Sequence, residues 1–281
     1  MKVTLWGTRG SIPTPGPETA RYGGNTSCVQ VEGDDGTQLV LDAGTGIRRL
    51  GDTFPSPAGR VDLLLSHLHM DHIQGLGFFA PLYDSEAEVH IWGPASTTQR
   101  LGRRLTRYLA PPLFPVLLRD LPCDLQLHEV PCGEFEIGGF RICSAMVCHP
   151  GPTVGYRIWE DERVLAYLSD HEPALGVDRF ELSEIDPEWV SGYEVAADAD
   201  LLIHDTQYTE DEYGERIGWG HSSVDQCLTF ARLARVKHLV AFHHDPARTD
   251  DALYRVLSKA AGEADLPFRV TAGAEGDVFK L

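Results

Sequence analysis

Residues 65–72 read Leu65-Ser66-His67-Leu68-His69-Met70-Asp71-His72 and follow the apolar run Val61-Asp62-Leu63-Leu64-Leu65. Four metal-capable side chains fall within six residues of this stretch. A short apolar run closed by polar residues reads as a buried strand. The cluster therefore sits at a strand's C-terminal end, where a sheet holds the ligands rigidly beside an open cleft. Residues two apart in an extended segment point the same way, so His67 and His69 can share one metal. Asp71 and His72 follow after the chain turns toward a helix, and they can face a second. Imidazoles suit zinc and other first-row metals, and a carboxylate adds hardness and charge.

The 281 residues carry 24 basic and 42 acidic side chains, a net charge of −18. Nucleic-acid surfaces are usually basic, so this balance disfavours a broad one. Bound dications would offset part of the excess. A hydrophobic fraction of 42% supports a sizeable core, and the length suits one α/β sandwich or barrel. We expect one domain over 1–281, with a variable helical and proline-rich segment around 95–120. Met1 to Leu5 reads as a strand rather than a secretion leader, and no apolar run nears the ~20 residues that span a bilayer. The expectation is a soluble, cytoplasmic protein with no membrane partner. Cys28, Cys123, Cys132, Cys143, Cys148 and Cys227 include no Cys-x-x-Cys pair and read as reduced thiols.

Taken in order, Lys2–Trp6, Cys28–Val31, Gln38–Leu41, Val61–Leu65 and Val89–Trp92 read as strands, with a short helix around Ile47–Leu50. Residues 95–109 read as a helix. One face carries Leu101, Leu105, Tyr108 and Leu109, and the other Arg100, Arg103, Arg104 and Arg107. The arginines form either a solvated face or a docking surface for phosphate or RNA. Pro111–Val116 is a loop over the cleft or an oligomer contact. Strands follow at Leu125–Leu127, Phe140–Met146, Thr153–Trp159, Val164–Leu168, Leu201–His204, His238–Phe242, Arg269–Ala272 and Asp277–Phe279. Helices are expected over 222–235, capped by Ser222, and over 250–262, capped by Thr249. Two halves, each of strands then helices, imply two mixed β-sheets packed face to face with helices outside: a four-layer αββα sandwich.

The His-x-His-x-Asp-His motif resembles that of the metallo-β-lactamase superfamily, which implies that fold and a dinuclear hydrolase site. The later motifs follow in order. By resemblance His67, His69 and His149 hold one divalent ion, Asp71, His72 and His243 the other, and Asp170 bridges them. His244 is the alternative to its neighbour His243. The ions implied are two zinc ions, with manganese or iron as alternatives. Gly7–Thr14, Asn25-Thr26-Ser27, the Leu202–Thr206 run and His221-Ser222-Ser223 resemble the tRNase Z branch. That likeness gives His221 the role of general acid, oriented by Asp205, with Asp71 counted as catalytic as well as a ligand. Asn25, Thr26 and His221 are the expected substrate contacts. His90, His128, His171, His204 and His238 have no motif and read as structural.

A two-metal site lowers the pKa of a bridging water and neutralises charge on a phosphoryl oxygen, which makes metal-bound hydroxide the expected nucleophile. A diester's alkoxide is a poor leaving group and calls for a positioned acid. The expected activity is a phosphodiesterase on a small diester, such as a cyclic nucleotide or cyclic sugar phosphate. The alternatives are a tRNase Z-like ribonuclease acting on RNA and a lactonase- or thioesterase-type hydrolase. That branch carries a glycine-rich basic arm, and none is evident here. The resemblance also implies a homodimer.

Overall fold

The structure, a computed structural model, describes residues 1–131, 133–173 and 186–281. Cys132, one of the expected thiols, lies outside them. The first sheet contains β1 (Lys2–Gly7), β2 (Cys28–Glu32), β3 (Gln38–Leu41), β4 (Arg60–Leu64), β5 (Glu88–Gly93) and β6 (Asp124–Glu129). The second contains β7 (Gly133–Ile137), β8 (Phe140–Met146), β9 (Val154–Glu160), β10 (Arg163–Leu168), β11 (Leu201–Asp205), β12 (His238–Phe242) and β13 (Arg269–Ala272). β14 (Val278–Lys280) returns to the first sheet beside β1.

Side-chain alternation explains the layers. Val29, Val31, Leu39 and Leu41 meet Tyr156, Ile158, Leu165, Ile203 and Phe242 between the sheets. On β4, Leu64 points into that inner core, while Val61 and Leu63 point outward under helices. Both faces are covered, so the strand is apolar on both sides except at Asp62, which accepts from Arg60 and from Trp92 Nε1. The first sheet's outer face packs on α1 (Ile47–Gly51), α2 (Met70–Ile73) and α3 (Leu101–Leu105). The second sheet's outer face packs on α4 (Tyr193–Ala196); after α5 (Glu210–Tyr213) it is also covered by α6 (Val224–Leu233) and α7 (Asp250–Glu263). The αββα sandwich is the observed architecture. No helix among the described residues is long and apolar enough to cross a membrane.

Each sheet is antiparallel at one end and parallel at the other. β3 to β6 and β10 to β13 form the parallel sets. Their C-terminal ends carry Asp42 after β3, the histidine cluster after β4, Asp170 after β10, Asp205 closing β11 and His243 after β12. Ligands of open α/β sheets bind outside such carboxyl ends.

Three local expectations need correction. Only Leu101–Leu105 of the segment 95–109 is α-helical. The Thr106 hydroxyl donates to the Arg103 carbonyl at 3.0 Å, and Pro111 and Pro112 cannot continue a helix. Ser223, not Ser222, caps α6, its hydroxyl accepting from Gln226 N–H at 3.1 Å. β7 went unread although Glu134-Phe135-Glu136-Ile137 alternates with period two; it forms a hairpin with β8 through Ile137↔Phe140. The arginines also separate. Arg104 is partly buried and donates to the Pro94 carbonyl, whereas Arg100, Arg103 and Arg107 are exposed. The proline-rich segment buries Phe114 against Gly77 and edge-to-face on Phe78. Tyr108 donates to the Gln74 carbonyl at 2.6 Å, two residues past His72.

Candidate functional site

The strand ends bring the cluster together. Ligand-capable atoms of His67, His69 and His149 lie within 4.8 Å of one another, as do those of Asp71, His72, Asp170 and His243. Asp170 stands between the sets. Its Oδ1 is 3.0 Å from His72 Nε2, and its Oδ2 is 3.4 Å from His243 Nε2 and 3.8 Å from both His67 Nε2 and His149 Nε2. The fit to cations is direct. Among the described residues the buried atoms His67 Nε2, His72 Nε2 and Asp170 Oδ1 have no hydrogen-bond partner of good geometry, although buried polar atoms are normally paired. These atoms converge on shared space, which suits divalent ions once His72 gives up its Nε2 proton, and imidazole with carboxylate suits zinc or another first-row metal.

The two sides differ in charge. Burial lowers the pKa of His67 well below its ordinary value, and the His72 ring lowers it further. Burial likewise lowers His69 and His149, so three neutral imidazoles stand ready to ligate. On the other side, burial favours neutral histidines, but the carboxylates outweigh it. Asp170, Asp71 and Asp42 raise His72 well above its usual value, and Asp170, Asp71 and Asp205 push His243 up to about 9. Asp71 and Asp170 are lowered by the same rings, against the effect of burial.

Protons thus occupy the carboxylate-rich side in the metal-free protein. His243 stabilises that form fully below its unfolded value of about 6.5, and the contribution is lost as pH rises through about 9. An ion must displace the proton. We expect affinity at the Asp71–His72–His243 side to rise about tenfold per pH unit per proton released. The part of the rise carried by His243 levels near pH 9, while above pH 7 the three-histidine side stays flat. Calorimetry in buffers of different ionisation enthalpy would read the released proton.

Supporting bonds fix each ring. Asp42 is fully buried at a φ of +59°, an uncommon conformation outside glycine. Its Oδ2 accepts from His72 Nδ1–H and from the Tyr167 hydroxyl, both at 2.8 Å, and its Oδ1 accepts from Ser66 N–H at 2.7 Å. The Ser66 hydroxyl donates to Asp42, so His67 Nδ1–H donates to Ser66 Oγ at 3.0 Å, leaving Nε2 free. Asp42 was overlooked in the sequence. Its signal is an acid directly after an apolar strand run, Leu39-Val40-Leu41-Asp42; Asp170 and Asp205 show a looser form of it, with Ser169 and His204 between run and acid. Replacing Asp42 with asparagine should weaken metal binding about 10–100-fold, as loss of a carboxylate behind a ligating histidine does; competition against a fluorescent chelator would measure it.

Asp71 is held from the other side. Ser11 N–H donates to its Oδ2 at 2.8 Å. Arg9, fully buried, anchors that loop by donating to the carbonyls of Gly23, Asp245 and Arg248 and to Asp250 Oδ1. Gly10 lets the loop pass under His243, since a Cβ there would lie 2.5 Å from the ring. His243 takes a φ of +55° and turns into the cluster. His244 turns away and donates from Nε2 to the Gly273 carbonyl at 2.8 Å.

His221 joins the same group. Its Nδ1 is 2.7 Å from Asp205 Oδ2, and its ring stacks on His243 at 5.0 Å. Asp205 is fully buried and also accepts from Gln207 N–H at 2.9 Å. Asn25 and Thr26, the expected substrate contacts, are engaged elsewhere. The Asn25 amide donates to Glu275 Oε2 at 3.0 Å, and Thr26, fully buried, exchanges bonds with Thr45 at 3.0 and 2.9 Å. Thr26 braces the loop at Gly44, and Asn25 is half-buried. Of the unassigned histidines, His171 and His204 are buried and bonded to each other at 2.9 Å behind Asp205. His90 pairs with His128 at 2.8 Å, and His238 bonds Thr271 at 2.8 Å.

Comparison with known proteins agrees with this geometry. The family model described as "Beta-lactamase superfamily domain" matches residues 37–244. A ribonuclease Z of Haloarcula marismortui is 27% identical, over 86% of this chain and 86% of its own. The metallo-β-lactamase fold protein YhfI of Bacillus subtilis superposes with a TM-score of 0.71 at 18% identity, covering 99% of this chain and 98% of its own. A diphosphatase from the PhnP family superposes with a TM-score of 0.67 at 16% identity, covering 100% of this chain and 97% of its own. With the matched domain, the two-sheet fold and the His/Asp cluster at its strand ends, the chain belongs to the metallo-β-lactamase superfamily of hydrolases.

Proposed function

We propose that the protein is a metal-dependent phosphodiesterase that cleaves small diesters, with cyclic nucleotides and cyclic sugar phosphates as the substrate class. The observation that carries this reading is the Asp205–His221 pair beside Asp170. His221 Nδ1 lies 2.7 Å from Asp205 Oδ2 and 3.9 Å from Asp170 Oδ2, and the side chain is 12% exposed. Two divalent ions, zinc before manganese or iron, held by His67, His69 and His149 and by Asp71, His72 and His243, would supply an acidified water and neutralise charge on phosphoryl oxygens.

The chain's own residues do the rest. Asp205 accepts a hydrogen bond from His221 Nδ1–H, which fixes the ring and its tautomer. His221 Nε2–H then gives its proton to the leaving oxygen as the P–O bond breaks. Asp71 is held by Ser11 at the edge of the centre, where it acts as a ligand and orients the attacking water. The relatives named ribonuclease Z and the diphosphatase of similar fold support phosphoester chemistry over lactone or thioester hydrolysis.

A ribonuclease is the second reading, favoured by those relatives. Metal-loaded protein should be assayed against bis(p-nitrophenyl) phosphate, cyclic nucleotides and RNA; turnover of none of them would sink both readings. Replacing Arg100, Arg103 and Arg107 together by alanine separates the two, with Arg104 left in place because it ties the Pro94 backbone. For a small-diester enzyme, rates on cyclic nucleotides stay within twofold. For a ribonuclease, RNA affinity falls and its dependence on salt flattens. The dimer belongs to the proposal too, and light scattering on the eluted protein tests it.

A further inference from the structure

A further buried carboxylate outside the ligand set lies two residues past Asp170. Glu172 is fully buried and reaches the turns of residues 214–220. Its Oε1 accepts from Gly218 N–H at 2.8 Å and from the Tyr213 hydroxyl at 2.6 Å. Its Oε2 accepts from Gly220 N–H at 2.7 Å and shares Gly218 N–H at 3.1 Å. Its own N–H donates to the Cys148 carbonyl at 3.0 Å. Glu172 therefore ties the loop that carries His149 to the loop that carries His221.

The link to the centre is short. The Gly220 carbonyl accepts from His149 Nδ1–H at 2.8 Å, which leaves His149 Nε2 toward His69 Nδ1, 3.0 Å away. Gly218 and Gly220 both sit at a φ of +86°, a conformation that glycine takes without strain. A Cβ on Gly220 would stand 2.3 Å from His149 Nδ1. The peptide that orients His149 is thus clamped at its N–H by Glu172 and at its carbonyl by the ring itself, and His221 is the next residue.

We infer that Glu172 is a positioning residue: through Gly220 it sets the His149 ring, and with it the three-histidine side of the centre, while presenting His221. The inference rests on the metal-centre reading above. It predicts an asymmetric effect, because the clamp bonds His149 directly through Gly220, while among the described residues it reaches the other side only through the His221 ring stacked on His243. Glutamine in place of Glu172 keeps the volume but turns an NH₂ group toward loop N–H donors, so the clamp opens.

The test loads wild type, Glu172→Gln and Gly220→Ala with zinc alone and strips the ions by chelator titration. Wild type should release two ions at high chelator. Glu172→Gln should release one about 10–100-fold more readily and hold the other as wild type does. On a cyclic nucleotide its kcat should fall with little change in KM. Gly220→Ala reaches His149 directly and should give the same one-ion pattern; it decides the case if Glu172→Gln does not fold. Equal retention of both ions in all three proteins would overturn the inference, as would parallel loss of both ions with the thermal transition. The chelator titration needs no substrate, so it stands even if no diester is turned over.

Discussion

Replacing His221 with alanine is expected to lower kcat on a cyclic nucleotide by about 10²–10⁴-fold, the range of a lost general acid, while both ions stay bound. The reason lies in the leaving group. An alkoxide cannot depart without a proton, and His221, held by Asp205 at 2.7 Å, is positioned to supply it. Bis(p-nitrophenyl) phosphate expels a stable phenolate and needs no such proton, so its rate should fall by less than about tenfold. The ratio of the two losses is the measurement. His221 also lies within 4.8 Å of His149 and Asp170. Equal losses on both substrates, with an ion released, would make it a ligand instead. Asp205→Asn should share most of the effect, and the double variant should be no worse than His221→Ala, because residues acting as one unit are not additive.

Replacing Asp170 with alanine should remove activity to background and strip ions from both sides of the centre. Asp170 is the carboxylate that faces His67, His72, His149 and His243 together, at 3.0–3.8 Å. It also holds protons on His72 and His243 in the metal-free protein. Breaking a buried charge pair destabilises by ~3–5 kcal/mol. Both rings can shed their protons instead, which places the loss toward the lower end. Denaturant melts in excess chelator would measure it, and elemental analysis would count the ions. Retention of both ions in the alanine variant would show that Asp170 does not bridge them. Asparagine at the same position keeps the shape, so it separates the lost charge from the lost packing.

Much of the site was legible because its signals are local. An apolar run followed by His-x-His-x-Asp-His reports a strand end and its period-two alternation within one short window. Asp170, Asp205 and His243 repeat the sign of a polar ligand after an apolar strand. Other features needed partners far along the chain. Asp42 accepts from Tyr167, 125 positions away, and Glu172 accepts from Gly220, 48 positions away. Glu172 is not marked by its neighbours, and Asp42 is marked only by its place directly after an apolar strand. The bonding of Asn25 and Thr26 also needed distant partners: Glu275, 250 positions after Asn25, and Thr45 take it up.

By itself the sequence determined the layers, most of the strands and the residue types that gather at their ends. These follow from hydrophobic periodicity, which depends only on near neighbours. The tertiary structure decided which candidates meet. It chose His243 over His244 by one left-handed backbone angle, and it brought Asp42 to the His72 ring and Glu172 to the Gly220 N–H, partners distant in sequence. It also split the arginine stripe by tying Arg104 to Pro94. Orientation at the centre depends on sheet order and loop packing, and those are set only when the two halves close on each other.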